Sequence, residues 1–292
     1  MIGDALGVPY EFHDPLDIPA ASLIDFVPPK DFDRSHSDVP PGTWSDDGAQ
    51  ALCLLASLTH CGTLDLDDFS RRLVNWIDWG YMAVDSHVFD VGLQTGAAMQ
   101  ALRSGASPRK SGPATERSNG NGALMRVLPL ALWHEGDDRS LIQMAWEQSL
   151  PTHGHPRSGV ACAMYCLWAR AEMAGSVQSW VDAEVVLRRE ASDVGFPDEE
   201  VERVLDPVNA SAVSGTGYVV DCLWSARQAM DRAVDFASAV RGAISLGNDT
   251  DTTAAVAGGI AGIRFGLESI PHAWREALRG RPLLEALLNE AG

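Results

Sequence analysis

Apolar residues recur at i, i+3, i+4 and i+7 along most of this chain, in segments rich in Ala, Leu, Arg and Glu. That period gathers them on one face of an α-helix, whereas a half-buried strand alternates every second residue. The spacing predicts helices over 47–59, 67–79, 91–103, 123–133, 140–150, 157–173, 177–190, 198–205, 218–232, 236–246, 252–265 and 273–289. Strand signals are nearly absent, so the expected class is all-α, a multi-helix globule. Two stretches break the pattern: 12–45 is long, Pro-rich and aperiodic, and 105–122 is rich in Ser, Gly, Pro and Asn. Connections of that length in a compact domain are usually functional or disordered. No repeat of fixed period and no linker composition divides the chain, so a single domain over 1–292 is expected.

The helix predicted over 252–265 carries Ala255, Gly258, Gly259, Gly262 and Gly266 at three- and four-residue spacing. Each interior Gly costs roughly 1 kcal/mol relative to Ala, and such a stripe suits close approach by neighbouring helices, so this helix is expected to be central. The stretch GNDTDTT (247–253) stands before it. Asn248 and Asp249 are helix N-cap types, and the positive end of the helix dipole favours ionised Asp249 and Asp251. The plain reading is that one Asp caps and the other is solvated. If the helix is central, its carboxylates are enclosed and need a partner. The run TWSDDGAQALCLLASL (43–58) repeats the arrangement, with Ser45, Asp46 and Asp47 leading into an apolar helix.

Two acidic helix starts suggest a shared cation. Hard divalent ions such as Mg²⁺ or Mn²⁺ take oxygen from carboxylates, hydroxyls and water. An EF-hand is excluded: counted from Asp249, Ala254 stands where the loop needs Gly and Ile260 where it needs Glu. A zinc site from His153, His155, Cys162 and Cys166 has irregular spacing, and the two cysteines lie at i, i+4 on an apolar helix, which suits buried thiols. The residues Asp249 to Thr253 also spell the D-x-D-x-T of a Mg-dependent phosphatase, whose first Asp ends a buried strand; SLGN, which precedes it here, has no strand character.

The 292 residues carry 22 Lys and Arg against 40 Asp and Glu, a formal net charge of −18. Such a field argues against nonspecific binding to nucleic acid or anionic membranes. With no signal-peptide pattern and no long apolar run, a cytoplasmic protein without membrane association is expected. The five cysteines have no C-x-x-C spacing and are expected to be reduced.

The blocks GDALGVPYE (3–11), SDD (45–47), DVGLQT (90–95), GNGALMR (120–126), TH (152–153), SGTGYVVDCL (214–223) and GNDTDTTAA (247–255) run in order through nearly the whole chain. In these blocks the sequence resembles the ADP-ribosylglycohydrolase family, which includes the dinitrogenase-reductase-activating glycohydrolase. The resemblance implies an orthogonal bundle of α-helices with two divalent metal ions, Mg²⁺ or Mn²⁺, at the bottom of a cleft. It implies release of ADP-ribose from an ADP-ribosylated protein or small-molecule conjugate. Carried over by position, Ser45, Asp46, Asp47, Asp249, Asp251 and Thr252 would be metal ligands, and Glu11, with Asp47, would serve catalysis. Ser118, Asn119, Gly120, Asn121 and Gly122 would contact ADP-ribose, with backbone N–H groups of this Gly-rich loop approaching its pyrophosphate ahead of a helix starting near Ala123. His153 would face the substrate, against the plainer role of capping the helix at Arg157; Asp90 and Thr95 would line the same cleft.

The chemistry suits these residue types. Breaking a glycosidic bond at the distal ribose builds oxocarbenium character, so it needs a water nucleophile, a proton for the leaving group and rigid positioning. Two departures stand out. The usual Thr-Asp-Asp-Thr is here Ser45, Asp46, Asp47 and Gly48, and the chain opens at GDALG without most of the helix that normally precedes it. An alternative follows from them: a member that binds ADP-ribose but has lost turnover.

Overall fold

Helices begin where a side chain can satisfy backbone donors that no helix pairs internally. Ser45, Asp65, Asp137 and Asp235 occupy N-caps and accept from the backbone N–H of Asp47, Asp68, Ser140 and Ser238. The computed structural model describes residues 1–291, with side chains as far as 289. Its α-helices are α1 (Ile2–Gly7), α2 (Asp46–Cys61), α3 (Leu66–Trp79), α4 (Leu93–Arg103), α5 (Pro108–Ser111), α6 (Leu128–Trp133), α7 (Asp138–Glu147) and α8 (Pro156–Met173). They continue with α9 (Ser179–Val194), α10 (Asp198–Leu205), α11 (Val219–Asp231), α12 (Phe236–Ile244), α13 (Thr250–Phe265), α14 (His272–Ala277) and α15 (Arg281–Ala291). Among the described residues there is no strand, only an isolated bridge between Gly120 and Tyr218. The all-α expectation holds, and the phosphatase reading of D-x-D-x-T fails for want of a strand to carry its nucleophile.

Two predicted helices differ. The stretch 123–133 is helical only over α6, because Pro129 has no N–H to donate and fits only the first turn. The stretch 273–289 breaks into α14 and α15 at Gly280, whose φ is +71°, while Arg279 N–H bonds Gly42 O at 2.9 Å. The long 12–45 connection is pinned. The Tyr10 hydroxyl donates to Asp25 O (2.8 Å) and accepts from Asp25 N–H (3.0 Å), and Trp274 Nε1 donates to Asp25 Oδ1 (3.1 Å).

Helix α13 is central, packing on α1, α2, α8, α11 and α12. Half of its small-residue stripe is used: a Cβ at Gly259 would run into the Tyr165 hydroxyl and come within 2.6 Å of Leu128 Cδ2, whereas Gly262 and Gly266 face open space. Around it lies one hydrophobic cluster, with Cys53, Cys162, Cys166 and Cys222 buried in it as unpaired thiols. No described helix is long and apolar enough to cross a membrane.

Contact between α1 and α13 fixes the site. A Cβ at Gly3 would strike the Ala254 carbonyl and one at Gly7 the Asp251 backbone. Two glycines four residues apart therefore bring one face of α1 against the first turns of α13, and Thr250 Oγ1 donates to Gly7 O at 2.8 Å. Asp4, on the same short helix, is fully buried and turns to α2 instead. Its Oδ1 accepts from Ser45 N–H and its Oδ2 from Gly48 N–H, each at 2.9 Å. The carboxylate thus braces the N-terminus of α2 from another element.

Gly48 is explained by the same contact. A Cβ there would lie 2.8 Å from Asp4 Oδ2 and 2.9 Å from Trp44 Cγ, so no room exists for the hydroxyl-bearing side chain usual at this position. Restoring it by Gly48→Thr is expected to destabilise the fold by about 1–3 kcal/mol through overpacking, read as a lower urea midpoint with unchanged m-value. An unchanged midpoint would show that Asp4 and Trp44 can yield.

Candidate active site

The first turns of α2 and α13 meet although 205 residues separate them: Thr252 Oγ1 donates to Asp47 Oδ1 at 3.2 Å. Asp249 sits at the N-cap of α13 yet makes no capping bond; its Oδ2 accepts from Asn121 Nδ2 at 2.9 Å. Asp251 Oδ1 accepts from Thr252 N–H at 2.8 Å, and Ser45 Oγ accepts from Asp47 N–H at 3.3 Å. One oxygen on each of three aspartates is left over. Asp47 Oδ2, Asp249 Oδ1 and Asp251 Oδ2 are sealed from solvent without a hydrogen-bond partner. An unsatisfied buried carboxylate oxygen is costly, and oxygens of this kind are the donors a hard divalent cation takes. Glu11, Asp249 and Asp251 each present an oxygen within 4.8 Å of the others.

Electrostatics agree. Burial, then the surrounding carboxylates, push Asp46, Asp47 and Asp251 well above the ordinary carboxylate range. Glu11 is pushed up to about 11 by burial, then by Asp90, Asp249, Asp47 and Asp4. Asp90 rises to about 6 through burial, then Asp249 and Asp4. Like charges this close cannot all ionise without a cation among them. One positive charge approaches from behind: Arg126, fully buried, donates through Nη1 to Gln50 Oε1 (2.8 Å), and Gln50 Nε2 donates to Asp46 Oδ2 (2.9 Å).

Glu11 ends the turn Val8–Tyr10, and His36 Nε2 lies 2.7 Å from its Oε2. Asp90, with φ +53°, offers an oxygen to the same group.

The 117–122 loop forms a wall beside the acids, and three of its N–H groups are spent within the protein. Ser118 N–H bonds Thr115 O (2.7 Å), Gly120 N–H bonds Gln94 Oε1 (2.8 Å) and Asn121 N–H bonds Gly217 O (3.0 Å). Ser118 Oγ pairs with Thr115 Oγ1 at 2.7 Å, and Asn119 Nδ2 donates to Glu116 O at 3.0 Å. No helix starts at Ala123; the helix start that meets the loop is that of α11, whose Val219 N–H donates to Asn119 O at 2.9 Å. What the loop does present is the Asn121 amide, already on Asp249. A Cβ at Gly122 would come 2.9 Å from His153 Cε1 and 3.5 Å from Thr95 Oγ1, so His153 and Thr95 stand against the loop. His153 does not cap α8; His155 does, accepting from Arg157 N–H at 3.3 Å. Burial, then Arg126, lowers the His153 imidazole to about 3, so it is neutral, with Nδ1 on Thr152 Oγ1 at 2.8 Å.

Two cavities of about 720 and 480 Å³, sharing Arg72 and Tyr81, are lined by none of these residues. The unpaired oxygens mark the site. Sequence reasoning missed Asp4, Gln50, Gln94, Arg126 and His36. Gln50, one turn beyond Asp46 on an otherwise apolar helix, and Arg126, alone in ALMRVLPLAL, were visible anomalies.

The family model for ADP-ribosylglycohydrolase matches residues 1–291. The chain is 31% identical over 279 residues to the ADP-ribosylarginine hydrolase Tri1 of Serratia proteamaculans (strain 568), covering 95% of this chain and 72% of that protein. It is 27% identical over 278 residues to the ADP-ribosyl-(dinitrogen reductase) glycohydrolase of Rhodospirillum rubrum, covering 95% and 86%. A solved ADP-ribosylglycohydrolase-related protein complex superposes with a TM-score of 0.80 at 28% identity, over 99% of this chain and 93% of that one. Sequence over the described length and helical architecture thus agree, and the chain belongs to the ADP-ribosylglycohydrolase family of enzymes.

Proposed function

We propose that the protein is a metal-dependent hydrolase that cleaves the glycosidic bond between the distal ribose of ADP-ribose and an arginine side chain, releasing ADP-ribose. The observation that carries this reading is the set of three unpaired buried carboxylate oxygens on Asp47, Asp249 and Asp251, the last two residues also grouping with Glu11. The arginine linkage is supported by the similarity to the ADP-ribosylarginine hydrolase. Ser45, Asp46, Asp47, Asp249, Asp251 and Thr252 would hold two divalent ions, Mg²⁺ or Mn²⁺. Bound there, the ions supply Lewis acidity and fixed positive charge for the ribose hydroxyls.

The chain's own residues do the rest. Thr252 and Asn121 hold Asp47 and Asp249 in place through their side chains. Glu11 manages the proton: as the anomeric C–N bond breaks, a C–O bond forms to water, and the proton water loses passes by way of Glu11 to the leaving guanidine nitrogen. Asp90, Ser118, Asn119, Gly120, Asn121, Gly122 and neutral His153 form the wall along which the ADP-ribose lies. With the N–H groups of Ser118, Gly120 and Asn121 already engaged, phosphate contact there would come from the N–H groups of Asn119 and Gly122, from side chains, or after Gln94 releases Gly120.

Three outcomes are expected. Because the folded carboxylates are raised, the cation-free cluster holds protons that the unfolded chain has lost above about pH 4; stability from this source therefore falls as pH rises through that window, and cation binding must expel those protons. Mg²⁺ or Mn²⁺ should accordingly raise Tm more at pH 8 than at pH 5.5, and equal shifts would count against ligation by these acids. Asp249→Asn should abolish both ADP-ribose release and the metal-induced Tm shift; an unaltered metal titration would remove Asp249 from the ligand set. Against arginine- and serine-linked ADP-ribosyl peptides, release is expected from the arginine linkage, and binding without release from either would mark a non-catalytic member.

A further inference from the structure

Glu11 is a proton-transfer group only if its carboxyl is held in one orientation, and its backbone does not provide that. The residue ends a short turn and precedes Phe12, whose φ of +64° turns the chain away. The carboxyl is nevertheless buried, and a single side chain outside the acidic cluster reaches it: His36, with Nε2 2.7 Å from Oε2.

Nothing in the residues around His36 is casual. Its φ is +49°, a left-handed conformation that a non-glycine residue keeps only when its surroundings enforce it. Ser35 N–H bonds Pro9 O at 3.0 Å, and Ser35 Oγ donates to Glu11 O. Arg34 Nη2 donates to Val39 O, closing the segment into a tight loop. The imidazole is flanked by the rings of Phe12 and Phe89, with centroids 5.7 and 5.1 Å away. Backbone clips and aromatic walls together deliver Nε2 to Oε2. A carboxylate accepts and never donates, so opposite ionised Glu11 the Nε2 atom carries the hydrogen.

We propose that His36 is a positioning residue for the hydrolysis. Its Nε2 occupies Oε2 of Glu11, fixing the carboxyl plane and leaving Oε1 as the oxygen that exchanges protons with water and the leaving group. The proposal rests on the role given to Glu11 above. It also gives the 12–45 connection a chemical task, since that segment supplies the group that orients an acid on another element.

The test uses the full-length protein with its divalent ion and an arginine-linked ADP-ribosyl peptide. His36→Leu should lower kcat by about 10–100-fold, as removal of outer-sphere partners does, with KM and the metal-induced Tm shift unchanged. His36→Gln, which keeps an N–H donor near Nε2, should recover most of that loss. If the leucine variant does not fold, His36→Phe takes its place, keeping a ring between Phe12 and Phe89 without the donor. In a Glu11→Gln background, His36→Leu should add no further loss. Wild-type kcat in His36→Leu, no recovery in His36→Gln, or a weakened metal titration pointing to direct ligation would each overturn the positioning role. Glu11→Gln is itself expected to lose about 10²–10⁴-fold; if it turns over normally, the failure lies in the assignment of Glu11.

Discussion

Carboxylates packed together in a protein interior repel one another and forfeit hydration, so such a cluster persists only where the scaffold grips each acid and a cation balances them. Here the grip is visible. Asp47 is tied to Thr252, Asp249 to Asn121, Asp46 to Gln50, and Asp251 to the N–H of Thr252. Each tie uses one oxygen of its aspartate, and on Asp47, Asp249 and Asp251 the second oxygen is left without a partner. The same bonds that hold the acids therefore also aim them. Arg126, one amide removed from Asp46, offsets part of the repulsion without entering the cluster.

Everything that positions this cluster depends on how closely backbones approach. α1 reaches α13 because Gly3 and Gly7 carry no side chain, and that contact puts Asp4 within reach of the amides of Ser45 and Gly48. Asp4 fills the role of a cap supplied in trans, and Gly48 follows from it, since the carboxylate and Trp44 occupy the space a larger residue would need. What reads in sequence as a lost hydroxyl stands in space against Asp4 and Trp44.

The remaining walls join distant segments to the acids. The 117–122 loop is held by Gln94 of α4 and Gly217, and it rests on His153. The 12–45 connection is fastened by Tyr10, Trp274 and Arg241 and delivers His36 to Glu11. Both are long irregular segments, and both are ordered by bonds to helices instead of by periodicity of their own. Burial keeps His153 neutral in this wall, where it offers hydrogen bonding and packing surface without charge.

The sequence by itself determined the helical class, the position of most helices, the centrality of α13 and the two acidic helix starts. Those features are local: a 3.6-residue period, cap residues and a stripe of small side chains each declare themselves within a few turns. It also carried the ordered motif blocks that place the chain in its family. Only the tertiary structure decided which carboxylate oxygens are left unpaired, that Asp4 and Gly48 form one contact, that Gln94 and Gly217 engage the amides of Gly120 and Asn121, and that His36 meets Glu11. Pairs such as Glu11 with His36 and Asp47 with Thr252 lie 25 and 205 residues apart, and no local pattern encodes a pairing at that distance. The split of 273–289 and the late start of α6 belong with them, because the left-handed Gly280 with the Arg279 N–H bond to Gly42 O, and one proline, overrode an otherwise helical period.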